Sequence, residues 1–136
     1  MMVKSMNNSL KIPHFNYSEE ICMDGLASVR GPLNDLGKPF GVKLSYLPLM
    51  LKALSLAMGQ HPLLNSSVSA DETKLTMHGD HNIGIAMDTP RGLLVPCIKR
   101  VQNMSVFEIA AALAELQALG AAGKLGEAQL SGATIT

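Results

Sequence analysis

Four histidines, two cysteines and a scatter of cations and carboxylates are the groups in this 136-residue sequence that could do chemistry. His78 and His81 flank Asp80 and offer a possible metal site. A three-residue spacing at the start of a strand holds two imidazoles poorly on one side, however, so a polar turn is the better reading. His14 and His61 each neighbour a proline, and neither has an Asp or Glu placed to orient it as a general base. Cys22 and Cys97 have neither C-x-x-C spacing nor the density of a disulfide scaffold and read as reduced intracellular thiols. Arg30, Lys43, Lys99 and Arg100 could each meet a phosphate, although a solvated surface cation is the plainer account of any one of them. The sequence contains no G-x-S-x-G, no Walker glycine loop and no G-x-G-x-x-G, the usual signals of a serine hydrolase, a P-loop enzyme and a dinucleotide-binding fold.

Length and composition limit what can position these groups. A chain of 136 residues suffices for one modest domain. Hydrophobic residues make up 47% but aromatics only 4%, so the core must be built from aliphatic residues and nine methionines, which pack adaptably. Eleven basic residues balance eleven acidic ones. That balance argues against a nucleic-acid partner, which needs clustered Lys and Arg. Asn7, Asn65 and Asn103 open N-x-S sequons, but no secretory signal precedes them and they are expected to be unused. The most apolar run, 44–58, is interrupted by Pro48 and Lys52 and falls short of a membrane span.

The elements follow from periodicity. The opening residues are helix-compatible, and "HFNYSEEI" sets Phe15 and Tyr17 against polar neighbours, which predicts a strand over 13–22. Asp24 can cap a helix carrying Leu26, Val29, Leu33 and Leu36 on one face, with Gly31-Pro32 expected to kink or split it. Ser45 precedes a nearly all-apolar helix with Pro48 in its first turn and an end at Gly59. Two short strands around Ala70-Asp71-Glu72 form a hairpin. In "NIGIAMD", Ile83, Ile85 and Met87 face one way. Asn82, Gly84, Ala86 and Asp88 face the other, a small-residue face open to close approach. "GLLVPCI" is apolar on both faces, as a covered inner strand would be. Ser105 and Glu108 make a capping box for a helix running to Gly120, and the tail leads into a strand. The sum is a mixed α/β sandwich with helices covering one sheet.

"KIPHFNYSEEI", "GVKLSYLPLMLKALSLAMGQHPLLNSSV" and "HNIGIAMDTPRGLLVPCIK" together resemble the catalytic domain of the dihydrolipoyl acyltransferases, the core components of the 2-oxoacid dehydrogenase complexes. Within that family "HNIGIAMDT" is most similar to the branched-chain branch. The resemblance implies a two-layer α/β sandwich resembling chloramphenicol acetyltransferase. It further implies a homotrimer that builds a larger core, a mitochondrial matrix location, and acyl transfer between dihydrolipoyl and coenzyme A. The lipoyl group would ride on a domain outside this chain. The partners would be that lipoyl domain and the decarboxylase and dihydrolipoyl dehydrogenase components, with neither nucleic acid nor membrane.

The family's catalytic His lies in an H-x-x-x-D-G motif that this sequence lacks, and its oxyanion-stabilising Ser would fall beyond Thr136. Residues 1–136 are therefore expected to be the N-terminal part of the domain, incomplete at the C-terminus. On that expectation the chain alone is inactive, and no catalytic or metal-binding residue is assigned. Four positions match the family's coenzyme A contacts: Arg30, Ser45, Asp88 and Gln117. Family members carry an uninterrupted helix after the Arg, whereas Gly31-Pro32 follows it here. The alternative function is a catalytically inactive CoA-binding or assembly module of the same complex.

Overall fold

The computed structural model describes residues 2–136. Helix α1 (Met2–Ser9) is followed by an extended segment, 13–23, in which no ladder forms and every residue but half-buried Met23 is exposed. The strand expected over 13–22 is therefore absent. Alternation alone does not make a strand, because the backbone groups need a neighbouring ladder and none lies beside this segment.

Helix α2 (Asp24–Gly37) runs without interruption through Gly31 and Pro32. The helix is not split there, since the exposed Gly31 carries no Cβ to crowd the proline ring from the preceding position. Asp24 sits in the first turn, and Met23, not Asp24, occupies the cap position. A 3-10 turn (Lys38–Phe40) and Gly41, at φ 66°, lead the chain back to α3 (Tyr46–Gln60), whose buried face is Pro48, Leu49, Leu51, Ser55 and Met58.

The strands β1 (Ser66–Val68) and β2 (Leu75–Met77) form the expected hairpin, paired Ser66 to Met77. Next come β3 (Ile83–Gly84), β4 (Met87–Thr89), β5 (Gly92–Leu94) and β6 (Cys97–Ile98). β4 and β5 pair antiparallel around the Pro90-Arg91 turn, and β3 and β6 pair farther along the same two runs. Pro96, which has no N–H, separates the two ladders, while Ile85 N–H donates to the Pro96 carbonyl at 2.8 Å. The second run is not a covered inner strand throughout. β6 is buried, but β5 pairs only with β4 and leaves Leu93 70% exposed.

Helix α4 (Val106–Ala121) starts at the capping box anticipated from Ser105 and Glu108, and α5 (Glu127–Leu130) is a short turn that periodicity did not signal. The tail begins a parallel contact with β3 through an isolated Ile83–Ile135 bridge. Ile83, Ile85 and Met87 all enter the core, as their alternation requires, joining Leu51, Met58, Ile98, Val101, Ile109, Leu113 and Leu116. On the opposite face Gly84 is the point of close approach. A Cβ there would lie 2.8 Å from Thr136 Oγ1 and 3.1 Å from Val95 Cγ1, so the chain itself occupies that space.

Lys52 fixes α3 to the start of α4. Its ammonium donates to the carbonyls of Gln102 at 3.1 Å and Met104 at 2.7 Å, just ahead of the capping box. A three-donor cation suits such a cluster of carbonyl oxygens.

Candidate functional site

Helix α4 carries two faces. Ile109, Ala110, Leu113, Leu116 and Gly120 are buried. Ala110, Ala114, Gln117 and Ala121, spaced four, three and four apart, make a second stripe of short side chains with one polar member. Short side chains leave room above them, and two cavities open there. The larger, of 660 Å³, lies among α2, residues 40–45 and α4, and is lined by Arg30, Lys43, Ser45, Pro48, Ala114 and Gln117 among others. The smaller, of 320 Å³, lies among the first turn of α3, β4 and α4, with Leu47, Met87, Asp88, Thr89 and Gln117 in its wall. Leu113 and Gln117 border both, so the two cavities lie side by side along α4 as a trough in two compartments.

Charge divides the trough. Among the described residues the larger cavity is lined by two cations, Arg30 and Lys43, and no carboxylate, whereas Asp88 is the sole charged residue of the smaller. Arg30, Ser45 and Gln117 thus meet in one cavity, with Asp88 in the next and Gln117 at the junction.

Among the described residues, none of these side chains spends a hydrogen bond or an ion pair on its own fold. The Arg30 guanidinium makes no ion pair or hydrogen bond among the described residues, and its carbon rests 4.6 Å from the centroid of the Tyr46 ring. Ser45 stands at the cap position of α3 in extended backbone, φ −88°, yet its hydroxyl makes no bond to the helix. Asp88 does not build the following turn, which Thr89 closes instead. Thr89 Oγ1 donates to the Gly92 carbonyl at 2.8 Å and accepts from Arg91 N–H at 3.2 Å, while Gly92 supplies φ 96°.

Two contributors were not legible as site residues. Asn34 sits inside α2, where its side-chain Nδ2 donates to the Arg30 carbonyl and to the Leu44 carbonyl, each at 3.1 Å. Its Oδ1 accepts from Leu44 N–H at 2.7 Å. The carboxamide thus serves Leu44 as a strand neighbour would and ties the turn bearing Arg30 to the backbone just ahead of Ser45. Only the contact ten residues away distinguishes this Asn from a surface helix residue. Tyr46 is the other, hidden in an apolar helix start.

The remaining candidates lie elsewhere. His81 Nδ1 pairs with Ser55 Oγ at 2.8 Å in the interior, and His78 Nε2 with Ser67 Oγ at 3.0 Å. The Asp80 carboxylate accepts from Gln102 at 2.7 Å and lies 3.5 Å from Arg100, so these three groups face three different ways. His14 and His61 are exposed, and no histidine lines the trough. Lys99 borders a separate hollow with Cys97, whose thiol burial pushes up from its ordinary value while nearby Lys99 opposes the shift. Cys22 is exposed and unpaired.

A family model described as 2-oxoacid dehydrogenases acyltransferase (catalytic domain) matches residues 1–136. Over 135 residues the chain is 50% identical to the mitochondrial lipoamide acyltransferase component of the branched-chain alpha-keto acid dehydrogenase complex of Mus musculus, covering 99% of this chain and 28% of that protein. It is 36% identical over 136 residues to the dihydrolipoyllysine-residue acetyltransferase component of the pyruvate dehydrogenase complex of Bacillus subtilis, covering 99% of this chain and 31% of that one. Among solved structures, the dihydrolipoamide acetyltransferase of Azotobacter vinelandii matches at TM-score 0.89 and 34% identity, covering 98% of this chain and 56% of that one. The mixed helix-and-strand fold is that of these acyltransferase cores, and the chain spans less than a third of the length of the curated relatives it matches.

Proposed function

The chain belongs to the 2-oxoacid dehydrogenase acyltransferase family, and from that premise we propose that it forms the coenzyme A side of an acyltransferase catalytic domain in a branched-chain 2-oxoacid dehydrogenase complex. The observation that carries this reading is the divided trough: a cationic cavity joined at Gln117 to a mostly apolar one with a single carboxylate. Coenzyme A has the same division, with phosphates at one end and a long pantetheine arm bearing two amides at the other. Arg30 can take a phosphate through two parallel N–H donors, with Lys43 as a second charge and the Ser45 hydroxyl beside it. Gln117 can donate and accept along the pantetheine amides, and Asp88 can accept from an amide N–H. What these residues do for the reaction is to hold and orient the thiol carrier, which lowers the entropic part of the barrier to acyl transfer. The group that takes the thiol proton is not assigned to any histidine of this chain.

The preference for a branched acyl group is supported by the higher identity to the branched-chain relative than to the pyruvate one. A mitochondrial matrix location is supported by the relatives named mitochondrial. By the same likeness the native protein assembles as trimers within a larger core, and receives acyl groups from a lipoyl domain charged by the decarboxylase and reoxidised by the dihydrolipoyl dehydrogenase.

The test is calorimetric titration of the native protein with coenzyme A and with pantetheine, which lacks every phosphate. Arg30→Met should weaken coenzyme A binding by about tenfold, the scale of one charge-assisted pair, and leave pantetheine unaffected. Asp88→Asn should weaken both. A native protein that shows no saturable binding of coenzyme A at millimolar concentration sinks the reading.

A further inference from the structure

Resting on that reading, we propose that Tyr46 is the positioning residue for Arg30: its ring holds the guanidinium by the face and leaves the in-plane donors aimed at a phosphate of coenzyme A. The guanidinium carbon sits 4.6 Å from the ring centroid, within reach of a cation–π contact. A guanidinium has two kinds of surface. Its faces stack on aromatic rings, while its five N–H donors lie in the plane and suit the paired oxygens of a phosphate. A carboxylate partner would orient Arg30 by occupying those donors and would cancel its charge. An aromatic ring orients it without doing either. Among the described residues no carboxylate lines the cavity, and the donors of Arg30 are unspent.

The local backbone makes Tyr46 the second half of a clasp. Asn34 binds the Arg30 carbonyl and both backbone groups of Leu44, so the main chain of Arg30 is tied to the residue before Ser45. Tyr46 then holds the far end of the same side chain from the residue after Ser45. Arg30 is thereby fixed at both ends to 44–46, the stretch that also presents the free Ser45 hydroxyl. Immobilising a long, rotamer-rich side chain before the ligand arrives removes an entropic cost of binding.

The decisive measurement is the affinity of the native protein and its variants for three probes: coenzyme A, 3′-dephospho-coenzyme A and pantetheine. Tyr46→Leu should weaken coenzyme A binding about threefold to tenfold, the range expected for losing one guanidinium–ring contact. Tyr46→Phe, which keeps the ring face, should bind like the parent. Neither should alter pantetheine binding. If Arg30 serves the 3′-phosphate, 3′-dephospho-coenzyme A will be insensitive to Tyr46→Leu, and if it serves the diphosphate the loss will persist with that probe. With Arg30→Met already present, Tyr46→Leu should cost nothing further. Unchanged coenzyme A affinity in Tyr46→Leu, an equal loss for pantetheine, or additivity with Arg30→Met overturns the inference. Should Tyr46→Leu not fold, Arg30→Lys carries the test, since it keeps the charge without the planar face. An affinity equal to the parent's then overturns the inference. A parent protein that binds no coenzyme A overturns the functional reading itself and this inference with it, whereas a parent that binds normally beside an indifferent Tyr46 overturns the inference alone.

Discussion

At the scale of single residues, the cationic cavity depends on two residues that do not line it. Leu44 is fully buried, and both its backbone groups are satisfied by the Asn34 carboxamide. Asn34→Ala strands a buried donor and a buried acceptor, which costs about 1–3 kcal/mol for each unsatisfied group. A lowered thermal midpoint and a weaker affinity for coenzyme A are therefore expected together, and a midpoint equal to the parent's would contradict the clasp. Gly37 is the second case. Replacing a helical glycine by alanine ordinarily gains about 1 kcal/mol. Here the added Cβ would stand 2.8 Å from the Val42 carbonyl oxygen and 3.1 Å from Phe107 Cε1. The oxygen is backbone and cannot rotate aside, so overpacking of about 1–3 kcal/mol exceeds the propensity gain. Gly37→Ala is expected to destabilise, and chemical denaturation of the purified protein decides the sign.

At the scale of elements, α4 is the strut on which the trough is laid, and its start is held from two directions. Ser105 Oγ accepts from Glu108 N–H at 3.3 Å, and Glu108 Oε2 accepts from Ser105 N–H at 2.7 Å. Lys52 binds the carbonyls just upstream. The backbone bond from Ser105 holds the Glu108 carboxyl below its ordinary value, with the Ser105 hydroxyl and the charge of Lys52 adding to the shift. A carboxylate whose folded pKa is depressed stabilises the fold above its unfolded pKa, and that contribution disappears as pH falls through the folded value. Unfolding stability should therefore decline on acidification through and below the ordinary glutamate range. Glu108→Gln should flatten that part of the profile, and a profile identical to the parent's would remove Glu108 from the account. Ser105→Ala should cost about 1 kcal/mol by loss of the cap, read as a shift in denaturant midpoint at neutral pH.

At the scale of the whole molecule, core and site share a wall. Leu113 belongs to the central apolar cluster and also borders both cavities. Leu113→Ala should cost about 2–5 kcal/mol and weaken pantetheine and coenzyme A alike, in contrast to Arg30→Met, which affects only the phosphate-bearing ligand. A Leu113→Ala protein with parental stability would place that residue outside the core. The sequence alone determined what rests on local rules. The period of α4 and its capping box, the Ala70-Asp71-Glu72 hairpin and the inward row of Ile83, Ile85 and Met87 each follow from spacing within a dozen residues. The quoted motifs likewise carried the family and the four candidate positions. Tertiary structure decided what depends on a partner distant in sequence. Residues 13–22 alternate correctly yet form no strand, because a strand is made by its neighbour. Gly31-Pro32 does not break α2, and the Asn34 contacts to Leu44 fasten the turn that contains them to the chain ahead of Ser45. The convergence of Arg30, Ser45 and Gln117 on one cavity, with Asp88 in the adjoining one, is likewise a product of how α2, α3 and α4 pack. Hydrophobic period sets which face of an element is buried, but the position of one element against another is set by side-chain contacts that span ten, fifty or more residues.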